Sequence, residues 1–122
     1  YSTCDIVSLH IPATPQTKNS INQSLLNLMP QGAILINTAR KEVINEEELI
    51  LFMQERKDFK YMTDVMPAAD KKMNELFEGR YFATPKKMGA QTAEANINAG
   101  IAAAKQIVDF FQNGNTQFQL NK

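Results

Sequence analysis

His10, Arg40, Asp64 and Lys86 each stand at or just beyond the end of a short apolar run that reads as a β-strand. The runs are Asp5-Ile6-Val7-Ser8-Leu9-His10, Ile34-Leu35-Ile36-Asn37, Phe59 to Val65, and Tyr81-Phe82-Ala83-Thr84-Pro85-Lys86. If they form one open parallel sheet, all four groups fall on its carboxyl edge, where such sheets bind their ligands.

Each group has a chemical use and a plainer alternative. Arg40 is permanently charged and planar, suited to a two-pronged grip on a carboxylate; otherwise it is a surface arginine opening a loop. His10, the only histidine, is a general base or a hydrogen-bonded structural group. Asp64 interrupts an apolar strand, so burying it demands a partner such as a ligand amide or backbone N–H groups; a structural cap is the other reading. Lys86 and Lys87 are ordinary solvated charge, unless burial or a nearby cation lowers one toward a pKa of about 7–8, where it could donate and accept protons. Met62, Met66 and Met88 read as packing, and with one cysteine no metal site is expected.

Short connections position these groups. Ile11-Pro12-Ala13-Thr14-Pro15-Gln16-Thr17 is a proline-restricted loop. Asn22 caps a short helix in which Leu25, Leu28 and Met29 recur at helical spacing, with Pro30 ending it. Gln31-Gly32 turns into the strand Ala33 to Asn37. Asn45-Glu46-Glu47-Glu48 is a strong helix start, with a capping side chain and acids against the positive end of the dipole. Leu49, Phe52 and Met53 form its buried stripe, and Glu55-Arg56-Lys57 finishes it. Strands are expected over Cys4 to His10, Phe59 to Val65 and Arg80 to Thr84, with partly helical structure from Ala68 to Glu78. A long helix from Thr92 to Phe111, capped by Gln91 or Thr92, carries Ile97, Ile101, Ala104, Val108 and Phe111, and Gly114 follows as a left-handed terminator. Strand–helix alternation of this kind predicts an α/β fold with a parallel sheet and right-handed crossovers.

The 122 residues carry 13 basic and 13 acidic side chains, a formal net charge of zero that supports neither nucleic acid nor a membrane surface as a partner. No apolar run approaches the roughly 18 residues needed to span a bilayer. A lone cysteine excludes an internal disulfide, so a reducing, cytoplasmic setting is the default. The chain opens at Tyr1 without an initiator methionine and reads as a piece of a longer protein. Its five glycines, at 32, 79, 89, 100 and 114, make no Gly-rich phosphate-binding turn. If the sheet serves a dinucleotide, that turn and the ribose-reading acid are expected before Tyr1.

Leu9-His10-Ile11-Pro12-Ala13-Thr14-Pro15-Gln16-Thr17, Gly32 to Arg40, Asp64-Val65, Thr84-Pro85 and Gly89-Ala90-Gln91-Thr92-Ala93-Glu94-Ala95 together resemble the D-isomer-specific 2-hydroxyacid dehydrogenase family, nearest to its phosphoglycerate-oxidising members. The resemblance implies the C-terminal half of a Rossmann-like NAD-binding domain over 1–91, then a connecting helix over 92–122 that returns to a substrate domain. It implies that Arg40 binds the substrate carboxylate and carbonyl and that Asp64 holds the nicotinamide carboxamide. His10, Pro12, Thr38, Ala39 and Gly89 would line the cofactor pocket. The implied activity is NAD-dependent oxidation of D-3-phosphoglycerate to 3-phosphohydroxypyruvate, the first step of serine biosynthesis. Hydroxypyruvate or glyoxylate reduction and a non-catalytic NAD sensor are the alternatives. A small 2-hydroxy acid as substrate, a homodimer and a short form without a C-terminal regulatory domain complete the implied picture.

Two positions depart from the family pattern. Lysine replaces the acid/base histidine after Thr84-Pro85; counting from Pro85 selects Lys86 and counting back from Gly89 selects Lys87. Ala69 stands where the family places a glutamate supporting that histidine, with Asp70 displaced by one. The changes are physically consistent as a pair. A histidine starting near a pKa of about 6.5 gains from a carboxylate, whereas a lysine starting near about 10.4 must be pushed down.

Overall fold

The computed structural model describes residues 1–85 and 92–121. The chain divides into two compact units, Tyr1–Lys87 and Met88–Lys122. In the first, β1 (Ile6–Leu9), β2 (Ile34–Asn37), β3 (Lys60–Thr63) and β4 (Tyr81–Ala83) form one parallel sheet in the order β1-β2-β3-β4. The α/β expectation holds, with strands shorter than the apolar runs suggest. β1 stops before His10 because the following Ile11-Pro12 segment turns into a loop whose proline has no N–H to give a ladder.

Side-chain alternation sorts the sheet into two faces. Leu9, Leu35, Asn37, Tyr61, Thr63 and Tyr81 are buried. Ile6, Met62 and Phe82, on the opposite face, are exposed. Phe52 and Phe59 meet edge to face at 4.9 Å in the core, and Tyr61 stacks on Tyr81 across β3 and β4 at 5.9 Å.

The first helix, α1 (Gln23–Leu26), is a single turn capped by Asn22, whose Oδ1 accepts the Leu25 N–H at 3.0 Å. Its expected stripe needs correction: Leu26 and Met29 are buried while Leu28 is exposed. After Leu26 the backbone tightens into i to i+3 bonds, Leu28 N–H to Leu25 O and Met29 N–H to Leu26 O. Three-residue spacing then aligns 26 with 29 and turns 28 outward.

Helix α2 (Glu46–Glu55) begins as its sequence demands. Asn45 Oδ1 accepts the Glu48 N–H, and its amide donates to Glu48 Oε1 at 2.7 Å. The other oxygen of Glu48 accepts the Gln23 N–H at 2.7 Å, so one carboxylate starts two helices. Leu49, Phe52 and Met53 are buried as the periodicity requires, joined by Ile50. Glu46 reaches the loop before α3 (Asp70–Leu76), accepting the Ala68 and Ala69 N–H groups at 3.0 Å each. At the amino-terminal edge of the sheet, Arg56 donates to Met29 O, Pro30 O and both Asp58 oxygens, while Asp58 Oδ2 accepts the Gly32 N–H at 2.6 Å.

The second unit is dominated by α4 (Ala93–Asn113). Of the two candidate caps Thr92 serves, its Oγ1 accepting the Ala95 N–H at 3.1 Å. The helix ends at Gly114 in the left-handed region, φ 66°. Ile97, Ile101, Val108 and Phe111 are all exposed.

Candidate functional site

The register brings Leu9, Asn37, Thr63 and Ala83 into one row across the four strands. The residues that follow, His10, Thr38, Asp64 and Thr84, therefore emerge side by side at the carboxyl edge. Cross-strand bonds continue past the strands: Asp64 N–H to Asn37 O at 3.2 Å and Thr84 N–H to Thr63 O at 3.0 Å. Thr38 Oγ1 lies 3.5 Å from Leu9 O. With neighbouring strands about 4.8 Å apart, the four positions span roughly 14 Å, the scale of a small ligand.

At the β1 end, His10 is exposed, its Nε2 2.9 Å from Ser8 Oγ. Among the described residues no carboxylate orients the ring, so a side-chain hydroxyl takes that place. Pro12 is exposed too, and its carbonyl accepts the Thr17 hydroxyl at 2.6 Å. Thr17 Oγ1 also accepts the Thr14 N–H at 2.8 Å, so the TxxT spacing knots the proline loop beside the edge.

At the β2 end the chain turns out of the sheet around Asn37. This side chain is completely buried; its Oδ1 accepts the Ala39 N–H at 3.0 Å and its Nδ2 donates to Arg40 O at 3.0 Å. Thr38 is left exposed, Ala39 is buried and Arg40 emerges on extended backbone, φ −144° and ψ 144°. Its guanidinium donates to Ala39 O at 2.8 Å. Among the described residues it has no carboxylate partner; the one ion pair there is Arg56–Asp58, at 2.8 Å.

At the β3 end, Thr63 Oγ1 reaches Asn37 O at 2.9 Å and Val65 O at 3.0 Å and accepts the Val65 N–H. Asp64 does not interrupt the strand, as its apolar neighbours suggested, but follows it by one residue. Its Oδ1 is buried with no hydrogen-bond partner among the described residues. A buried, unmatched carboxylate oxygen is costly unless a ligand donor meets it.

Near β4, Tyr81 donates its hydroxyl hydrogen to Asp70 Oδ1 at 2.6 Å. Burial, and next the Asp70 carboxylate, push the Tyr81 phenol far above its usual range. Burial likewise raises Tyr61. Asp70, the displaced acid beside Ala69, is therefore committed to the fold. Lys86, Lys87 and Gly89 lie outside the described residues. Among those described, no group of three or more His, Cys, Asp or Glu side chains could hold a metal ion, and no helix is long and apolar enough to cross a membrane.

Two residues that shape this edge escaped the candidate list, Asn37 and Thr63. The signal was parity: in Leu35-Ile36-Asn37 and Tyr61-Met62-Thr63 the polar residue shares the inward face with a buried one, and a buried amide or hydroxyl must bond to something.

Residues 1–85 match the family described as "D-isomer specific 2-hydroxyacid dehydrogenase, NAD binding domain". A crystal structure of 3-phosphoglycerate dehydrogenase from Entamoeba histolytica with NAD+ bound is similar at 54% identity and a TM-score of 0.85, over 99% of this chain and 40% of that one. D-3-phosphoglycerate dehydrogenase of Haemophilus influenzae is 36% identical over 98% of this chain and 30% of its own length. Hydroxypyruvate reductase of Thermotoga maritima is 34% identical over 88% of this chain and 36% of its own length. The chain thus spans well under half of each relative. A parallel sheet with its polar groups gathered on the carboxyl edge and a family match over most of the chain lead to one assignment: this chain belongs to the D-isomer specific 2-hydroxyacid dehydrogenases, in their NAD-binding domain.

Proposed function

We propose that this chain is the carboxyl-side half of the cofactor domain of an enzyme oxidising D-3-phosphoglycerate to 3-phosphohydroxypyruvate with NAD. One observation carries the reading: Arg40 and Asp64 stand at neighbouring strand ends, and among the described residues the guanidinium has no acid partner and the carboxylate has a buried, unmet oxygen. NAD fits that oxygen, because its carboxamide presents an N–H donor. When bound, NAD supplies the hydride acceptor. His10, Pro12, Thr38, Ala39 and Gly89 line its pocket in this reading.

The remaining work falls to side chains. Arg40 holds the substrate carboxylate and polarises the oxygen on the reacting carbon. Lys86 or Lys87, chosen on sequence grounds, takes the hydroxyl proton in oxidation and returns it in reduction. Asp70 is held by Tyr81, which suits a lysine whose pKa must be lowered rather than raised. The exposed apolar stripe of α4 supports residues 92–122 as the connection that packs on a substrate domain, with 1–91 belonging to the cofactor domain. A cytoplasmic homodimer is carried over from the family. Phosphoglycerate is preferred because the relatives at 54% and 36% identity are phosphoglycerate dehydrogenases. The relative named as a hydroxypyruvate reductase keeps reduction of that 2-oxo acid as the second reading.

The test is NADH absorbance in the full-length protein with 3-phosphoglycerate, hydroxypyruvate and glyoxylate. Arg40→Ala should lower kcat/KM by about two orders of magnitude or more through substrate binding. One of Lys86→Ala and Lys87→Ala should cut turnover by about 10²- to 10⁴-fold with NAD affinity nearly intact. Full turnover in both lysine variants rules out the lysine mechanism, and no turnover of any of the three substrates rules out the enzyme.

A further inference from the structure

We infer that Asn37 is a positioning residue for substrate binding: its buried amide sets the turn that aims Arg40, and its backbone oxygen ties that turn to the strand end carrying Asp64. This rests on the proposed function, because it assigns Asn37 an effect through the guanidinium that grips the substrate.

Asn37 commits its side-chain oxygen, an amide N–H and its backbone oxygen to this edge. Oδ1 takes the Ala39 N–H and Nδ2 gives to Arg40 O, both at 3.0 Å, closing a loop that fixes three residues from one side chain. The backbone oxygen accepts the Asp64 N–H at 3.2 Å and the Thr63 hydroxyl at 2.9 Å. The side chain is fully buried, so water cannot replace these bonds. Arg40, by contrast, is exposed, and among the described residues its guanidinium is tied only to the neighbouring Ala39 O. Nothing else among the described residues fixes the direction in which Arg40 leaves the sheet, apart from the short turn Lys41–Val43 that it caps. That turn begins with the Val43 N–H to Arg40 O bond, a long 3.4 Å, so the same carbonyl that Asn37 holds also starts the next element.

Asn37→Asp is the informative change. It keeps the acceptor for the Ala39 N–H and nearly the same shape, but sets a carboxylate oxygen against Arg40 O, where a donor is needed. Loss of that one tether lets Arg40 drift, and a misplacement of about 1 Å in a positioning group can cost roughly a hundredfold. The expected result is a ten- to hundredfold fall in kcat/KM, mostly as a raised substrate KM, with the NAD dissociation constant within about twofold of the parent.

A double-mutant cycle with Arg40→Ala separates positioning from general damage. If Asn37 acts through Arg40, Asn37→Asp added to Arg40→Ala lowers kcat/KM little further. If it only supports the fold, the two losses multiply and NAD affinity falls with them, and the inference is overturned. Should Asn37→Asp not fold, the same cycle with Asn37→Ser, which keeps a small acceptor, decides between these outcomes by the same criterion. The parent reading fails separately: an Arg40→Ala enzyme with unchanged kinetics removes the guanidinium from substrate binding whatever Asn37 does.

Discussion

Replacing Asp64 by alanine should move stability and cofactor affinity in opposite directions. Asp64 Oδ1 is buried and has no hydrogen-bond partner among the described residues, and such an acceptor costs about 1–3 kcal/mol of stability. Asp64 is only half-buried, so the lower end of that range applies. Alanine gives up no hydrogen bond of that oxygen and keeps the backbone bond from Asp64 N–H to Asn37 O. Apo stability should therefore hold or rise by up to about 1 kcal/mol. If Asp64 accepts from the nicotinamide carboxamide as proposed, the same change deletes a bond between an amide donor and a charged acceptor, worth about 1.5–3 kcal/mol, so NAD binding should weaken by about ten- to a hundredfold. Urea unfolding of the full-length apo-protein reads the first number and a fluorescence titration with NADH reads the second. Loss of more than about 2 kcal/mol from the apo-protein would mean that Asp64 is a structural cap after all. Unchanged NADH affinity would detach it from the cofactor.

Asp58 gives the opposite pattern. The Arg56 guanidinium first, and then the Gly32 N–H, hold its carboxyl well below the ordinary carboxylate range. A depressed folded-state pKa contributes stability that is present above the unfolded value, near about 4, and is lost as pH falls below it toward the folded value. Asp58→Ala should therefore remove about 1 kcal/mol at neutral pH, and stability curves of parent and variant should converge as pH falls below about 4; an offset that stays constant into acid would show that the ionised carboxylate is not its source. Phe52→Ala empties a fully buried ring site beside Phe59 and should cost about 3–5 kcal/mol in urea unfolding. A loss under about 1 kcal/mol would mean that the core collapses onto the cavity.

The elements were legible wherever local chemistry decides them. Asn45 and Glu48 announced α2, Thr92 and Gly114 bracketed α4, and the apolar runs gave four strands. Legibility failed where long-range bonds outvoted local pattern. Leu28 looked buried on α-helical spacing, but the chain tightens after Leu26 and turns it out. Asp70 stood one residue from the place of the family's supporting glutamate, and only the fold reveals that Tyr81, eleven residues on, claims it. Glu48 looked like a local acid of the first turn of α2, yet one of its oxygens crosses to Gln23.

The carboxyl edge was readable as a set of places before its internal bonding was, and the two-residue period of a strand explains both halves of that. Because Leu35 and Tyr61 face the core, Asn37 and Thr63 must face it too, and they end their strands as buried polar groups that bond to the turns beyond. The same parity leaves Thr38 exposed and puts Asp64 one residue past β3, at the margin between core and solvent. A slip of one residue in β2 would bury Thr38 and expose Asn37, and one in β3 would expose Thr63. The register is thus what divides the edge into residues that hold and residues that touch. Periodicity marks the first kind only after burial is known, whereas charge at a strand end marks the second from sequence alone. A search confined to charged side chains finds Arg40 and Asp64 and misses the amide that relates them.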